Sequence, residues 1–137
     1  MGLYLCIFDG EEELDGVDAG LYADFGYFRD TVCRELEGKI PGSRFPTLNL
    51  HSDCDGQWSP EEARELLKEL AVIEADFRCL PPCPLMSEWQ RNVAKKFGLR
   101  PRTLHDCFFD VDGELLLSRL VKLAKLSGER SLPILFQ

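Results

Sequence analysis

The carboxylates within residues 51–62, His51-Ser-Asp-Cys-Asp-Gly-Gln-Trp-Ser-Pro-Glu-Glu62, are the part of this chain best placed to do chemistry. Asp53, Asp55, Glu61 and Glu62 lie between an apolar run, Phe45 to Leu50, and an amphipathic stretch that reads as a helix. If the run is a strand, these acids stand at a strand-to-helix junction, where sheet proteins commonly contact ligands. Such a set can hold a metal, carry acid–base work or face a basic partner.

The metal reading rests on a likeness to a calcium loop: Asp53 and Asp55 are suitably spaced, Gly56 is at the turn, and Glu62 closes the loop. Against it, His51 stands where an aspartate normally opens such a loop, and Glu62 also completes a capping box with Ser59. The preferred reading is that Asp53 and Asp55 satisfy backbone donors and favour the helix N-terminus. Cys79 and Cys83 flank Leu-Pro-Pro, and with His51 and His105 their spacing matches no standard zinc arrangement. No metal and no cofactor are expected.

Catalysis has two possible carriers. Phe108-Phe-Asp-Val-Asp-Gly-Glu-Leu115 resembles the nucleophile motif of haloacid-dehalogenase-type phosphatases, but the match is eight residues of 137 and leaves no room for that fold's later motifs. Asp110 to Gly113 therefore reads as a turn before a helix. Cys54 with His51, or Cys107 with His105, would make a nucleophile and base only through a specific turn, and no oxyanion loop is evident. A small metal- or cysteine-dependent enzyme is the alternative to a binding function.

The elements that must position these residues follow from periodicity. Leu3 to Phe8 is a continuous apolar run, read as a buried strand ended by Asp9-Gly10. Residues 11–20 read as an acidic, glycine-punctuated loop. Residues 22–37 carry Phe25, Phe28, Val32, Cys33 and Leu36 at helical spacing. Phe45 to Leu50 reads as the second strand. Ser59, Pro60 and Glu62 then start a helix that reaches Phe77, with Ala63, Leu66, Leu67, Leu70 and Ile73 on one face. Pro81, Pro82 and Pro84 break the pattern. A helix over 87–97 would turn Trp89, Val93 and Phe97 inward; 104–111 reads as an irregular strand, 113–127 as a helix, and 132–136 as a terminal strand. The order predicts one α/β domain over residues 1–137, a small mixed sheet of three or four strands packed with about four helices. Parallel pairing of the first two strands by a crossover would bring the 9–18 and 51–62 loops to one edge, crowding Asp9, Glu11, Glu12, Glu13, Asp15, Asp18, Asp53 and Asp55 together.

The charge is uneven. The chain carries a net charge of −8, but residues 1–62 hold 14 acids and 4 bases, and residues 63–137 hold 10 and 12. The acidic half argues against nucleic acid or an anionic membrane as its partner and suits a basic protein. Trp58 and Tyr22 lie close by in sequence, and aromatic residues anchor interfaces while charge steers encounter; Trp58 could equally be core. No secretory signal and no stretch of membrane-spanning length is visible. A cytoplasmic protein is expected, with its six cysteines as thiols.

Several blocks carry a family likeness: Met1-Gly-Leu-Tyr-Leu-Cys-Ile-Phe8, Tyr22-Ala-Asp-Phe25, Ser43-Arg-Phe-Pro46, His51 to Pro60, Cys107 to Gly113 and Pro133-Ile-Leu-Phe-Gln137. Together they resemble the immunity protein 70 family, small bacterial proteins taken to neutralise toxins delivered between competing cells. The resemblance spans nearly the whole chain. It implies a non-enzymatic, cytoplasmic inhibitor and brings no established binding residues with it. The expectation is a stoichiometric inhibitor of a cognate, basic toxin domain. Its acidic edge would comprise Glu11, Glu12, Glu13, Asp15, Asp18, Asp53, Asp55 and Glu61, with Trp58 as a possible anchor.

Overall fold

The first apolar run folds as a strand with two unlike faces. In the computed structural model, which describes residues 2–52 and 56–137, strand β1 is Gly2–Asp9. Leu3, Leu5 and Ile7 enter the core cluster, whereas Tyr4, Cys6 and Phe8 do not belong to it. This is strand alternation, hidden in the sequence because both faces are apolar. Gly10, with φ of 64°, then makes a tight turn into strand β2, Glu12–Leu21. A glycine at the first of two turn positions suits a hairpin of the II′ kind.

The acidic stretch read as a loop is therefore mostly strand. Val17 and Ala19 face the core while Gly16 and Asp18 alternate with them. Antiparallel pairing with β1 outweighs the poor strand propensity of Asp, Glu and Gly. A bulge falls here: Ile7 pairs with Asp15 but Phe8 pairs with Glu13. Gly16 is required opposite Cys6, since a Cβ there would lie 2.0 Å from the Tyr4 hydroxyl.

The expected second strand is instead a short helix, α2, Pro46–Asn49, after helix α1, Tyr22–Leu36. Pro46 cannot donate to a ladder but suits the first helical position. The Glu69 carboxylate caps the turn, accepting from the Thr47 N–H at 3.2 Å and the Leu48 N–H at 3.0 Å. The remaining strands are β3, Gln57–Trp58, and β4, Ile134–Phe136. The sheet order is β2-β1-β4-β3, with every pairing antiparallel. The α/β class and small helix-packed sheet agree with expectation; the parallel crossover does not occur, because β1 and β2 are a hairpin. Pro133 stands just before β4.

Helix α3, Pro60–Phe77, starts as its sequence dictates: Ser59 Oγ accepts from the Glu62 N–H and Glu62 Oε1 accepts from the Ser59 N–H, both at 3.1 Å. Ala63, Leu66, Leu70, Ile73 and Phe77 are buried against helix α5, Leu116–Arg130, which buries Leu116, Leu117, Leu120, Leu123 and Ala124. Between them lie helix α4, Glu88–Phe97, and a 3-10 turn, Leu104–Cys107, in place of the irregular strand. In α4 the inward residues are Gln90 and Ala94, not Phe97, which is exposed. Gln90 is drawn in because its carbonyl accepts from the Met86 and Ser87 N–H groups at the helix start. Trp89 and Val93 are half-buried, and the Trp89 ring stacks on Phe109.

Candidate functional site

The hairpin end of the sheet presents Glu11, Glu12 and Glu13 to solvent. Asp9, 60% exposed, lies beside them and pairs with Arg130 at 3.6 Å. Glu13 is held by the open face of β1, its Oε1 accepting from the Tyr4 hydroxyl at 2.5 Å. That bond, with burial and nearby negative charge, pushes the Tyr4 phenol up to about 12, so Tyr4 remains a proton donor. Next to it on the same face are Phe8, half-buried, and Leu135 of β4, the partner of Cys6. Tyr4, Phe8 and Leu135 lie outside the main core cluster, with Cys6 fully buried between them. They form an apolar strip on the sheet face opposite the core, with the hairpin glutamates at its end. Tyr4 and Phe8 were legible as candidates only through alternation along β1, which a continuous apolar run conceals.

Two other acids of the expected edge have different work. Asp15, on the core side by alternation with Val17 and Ala19, pairs with Arg119 of α5 at 3.2 Å, and the bulge before it turns Glu13 to the open face. The same guanidinium donates to the Gly16 carbonyl at 2.6 Å and lies 3.6 Å from both Asp110 and Glu114. Asp110 is buried, and Oδ1 accepts from the Asp112 and Glu114 N–H groups at 2.9 and 3.0 Å. Burial pushes its carboxyl up, against the pull of those bonds and Arg119. Asp110 to Gly113 is thus the turn that starts α5, and the cation its carboxylate meets is an arginine. Asp18 accepts from the Gly20 N–H at 3.0 Å, shaping the end of β2.

Strand β3, which follows the expected 51–56 turn, is not a neighbour of the hairpin strand β2. Both β1 and β3 run antiparallel to β4, so they point the same way. Gln57 pairs with Leu135, the partner of Cys6, so β3 begins level with the middle of β1, and Gly56, whose carbonyl accepts from the Phe136 N–H at 3.2 Å, lies toward the start of β1. The hairpin turn follows the other end of β1, and β2 and β3 are opposite edges of the sheet. The parallel pairing from which a single acidic edge was expected does not occur among the described residues. Asp53 and Asp55 lie outside the described residues, as does Cys54. Glu61, after the carboxyl end of β3, is 80% exposed and 3.9 Å from Arg64.

Trp58 has no exposed surface, and its indole donates to the Thr47 carbonyl at 3.0 Å. Of the two roles the sequence left open, it takes the core one. Tyr22 is half-buried against the core. The histidines are far from forming one site: His51 stacks on Phe136 and faces the Gln57 carbonyl, while His105 is buried beside Glu74 at 3.3 Å. Cys107 bonds the main chain of Cys83 rather than His105. Among the described residues no three metal-ligating side chains converge. The described cysteines, Cys6, Cys33, Cys79, Cys83 and Cys107, carry no disulfide. Among those residues, too, no helix is long and apolar enough to cross a membrane.

A basic surface lies elsewhere. Arg91, Lys95, Lys96, Arg100 and Arg102, on α4 and just after it, are all exposed. No curated protein and no solved structure matches the chain significantly. The family model described as immunity protein 70 matches residues 3–136, and the chain belongs to that family.

Proposed function

We propose that this protein neutralises a cognate toxin domain as a stoichiometric, non-catalytic inhibitor in the cytoplasm, occluding a basic toxin surface with its acidic hairpin and the sheet face beside it. Membership of an immunity family supplies the partner class. The observation that carries the surface is the pairing of exposed Glu11, Glu12 and Glu13 with the half-buried aromatic strip of Tyr4 and Phe8. Aromatic anchors ringed by charge suit a specific interface, the charge steering encounter and the anchors slowing release. A hairpin paired along β1 is also pre-organised, which reduces the ordering cost of binding. Asp15 and Asp18 serve by shaping the hairpin, and Trp58 as core beside β4; Glu61 extends the acidic surface. Asp53 and Asp55 remain part of the proposed acidic surface.

Co-expression with the cognate toxin domain tests this reading. Cells should survive, and the purified pair should run as one complex of fixed stoichiometry. Survival without any complex would point to a catalytic or indirect mode instead. The second reading places the interface on the exposed bases of α4, which would fit an acidic toxin face. Reversing Lys95, Lys96 and Arg100 to glutamate separates the two: it should leave binding intact if the hairpin is the contact.

A further inference from the structure

We propose that Cys83 and Cys107 are a reactive thiol pair that a peroxide converts to a disulfide, fastening the α3–α4 connection to the 3-10 turn. The Cys107 sulfur lies 3.2 Å from the Cys83 nitrogen and 3.3 Å from its carbonyl oxygen. The two segments are already joined where the Leu104 N–H donates to the Leu80 carbonyl at 3.0 Å. Pro82 and Pro84 flank Cys83 and restrict its backbone. The two cysteines therefore begin as neighbours on segments held in place.

The two thiols are unlike. Cys83 is half-buried and open to a small oxidant, whereas Cys107 is buried. The hydrogen bond from Cys107 draws the Cys83 thiol down to about 6 against the effect of burial, helped by the Tyr27 hydroxyl and the charge of Arg34. The same bond pushes Cys107 up. Cys83 is then the thiolate that attacks and Cys107 the thiol that resolves. The Cys83 thiolate attacks one peroxide oxygen, the O–O bond breaks, and hydroxide leaves, giving a sulfenic acid. The Cys107 sulfur attacks the Cys83 sulfur, the S–O bond breaks, and the departing hydroxide takes the Cys107 proton as water. The two thiols supply the two electrons that reduce the peroxide.

Cys79 is the internal control, because it is exposed and only four residues away. At neutral pH, limiting iodoacetamide should label Cys83 about tenfold faster than Cys79, since thiolate fraction outweighs exposure. Hydrogen peroxide on the intact chain should remove two thiols and link the Cys83 and Cys107 peptides in a non-reducing map. In Cys107→Ser, the link should vanish and a dimedone adduct should appear on Cys83. Oxidation of Cys79 ahead of Cys83, or a wild-type map without the Cys83–Cys107 link, would overturn the proposal. The wild-type map decides the matter even if Cys107→Ser does not fold.

Discussion

The two faces of the β1–β2 hairpin carry carboxylates from the same short acidic run and use them in opposite ways. On the core side, Asp15 meets Arg119, and Arg119 also contacts the buried Asp110. On the other side, Glu13 meets the Tyr4 hydroxyl, with Glu11 and Glu12 exposed beside it. One bulge separates the two outcomes, by shifting the register between Ile7–Asp15 and Phe8–Glu13. The lesson is that net charge along a strand does not describe a surface. Alternation and one extra residue decide which acids hold the fold and which remain for a partner.

Substitutions on the core side should break the fold and say nothing about binding. The largest effect is expected for Trp58→Ala, which should cost about 3–5 kcal/mol in urea unfolding, the usual loss for a large buried aromatic. A well-folded, fully stable Trp58→Ala protein would remove Trp58 from the core account. Arg119→Ala comes next. Removing one partner of a buried ion pair costs about 3–5 kcal/mol, and the lower end applies because the guanidinium is 19% exposed. Replacing Asp15 by Asn in that background should recover part of the loss, as one stranded charge is gone. Additive losses would show that the two do not interact.

Changes on the open face should be milder. Tyr4→Phe should cost about 0.5–1.5 kcal/mol, one hydrogen bond, and should raise the dissociation rate of the toxin complex if Tyr4 is an anchor. The phenol offers a separate readout. Its folded value is raised to about 12, above the ordinary tyrosine value near 10. Its contribution to stability is therefore complete below about pH 10 and is lost as pH rises toward 12. Glu13→Gln should move one of the three tyrosine transitions in ultraviolet titration back toward the ordinary value. An unchanged titration would mean that Glu13 does not hold Tyr4 in solution.

Much of this organisation was legible in the sequence where one local rule acts alone. The Ser59-Pro60-Glu62 start of α3 and the turn at Asp110 to Gly113 are local hydrogen-bond chemistry, and both form where the residues place them. What was not legible depended on partners distant in sequence. Pro46 to Asn49 has an apolar pattern too short to decide between strand and helix, and Glu69, from the next helix, decides it. Glycines and acids in 12–21 argue for a loop until β1 supplies a pairing edge. The parallel pair behind the expected acidic edge failed for the same reason, because β1 pairs with β2 as a hairpin. Tyr4 and Phe8 were overlooked because apolar residues cover both faces of β1.

The central claim is that the hairpin glutamates recognise the toxin. Its most direct test is the association rate of the cognate toxin domain with Glu11→Lys/Glu12→Lys/Glu13→Lys, measured at low and high salt beside the wild type. These side chains are exposed, so stability should change by no more than about 0.5 kcal/mol per site, apart from the Tyr4 bond. Association should slow by about one to three orders of magnitude at low salt, and the difference should shrink as salt screens the field. A variant that melts like the wild type and associates at the wild-type rate at both salt concentrations would contradict the claim and move the search to the basic surface of α4.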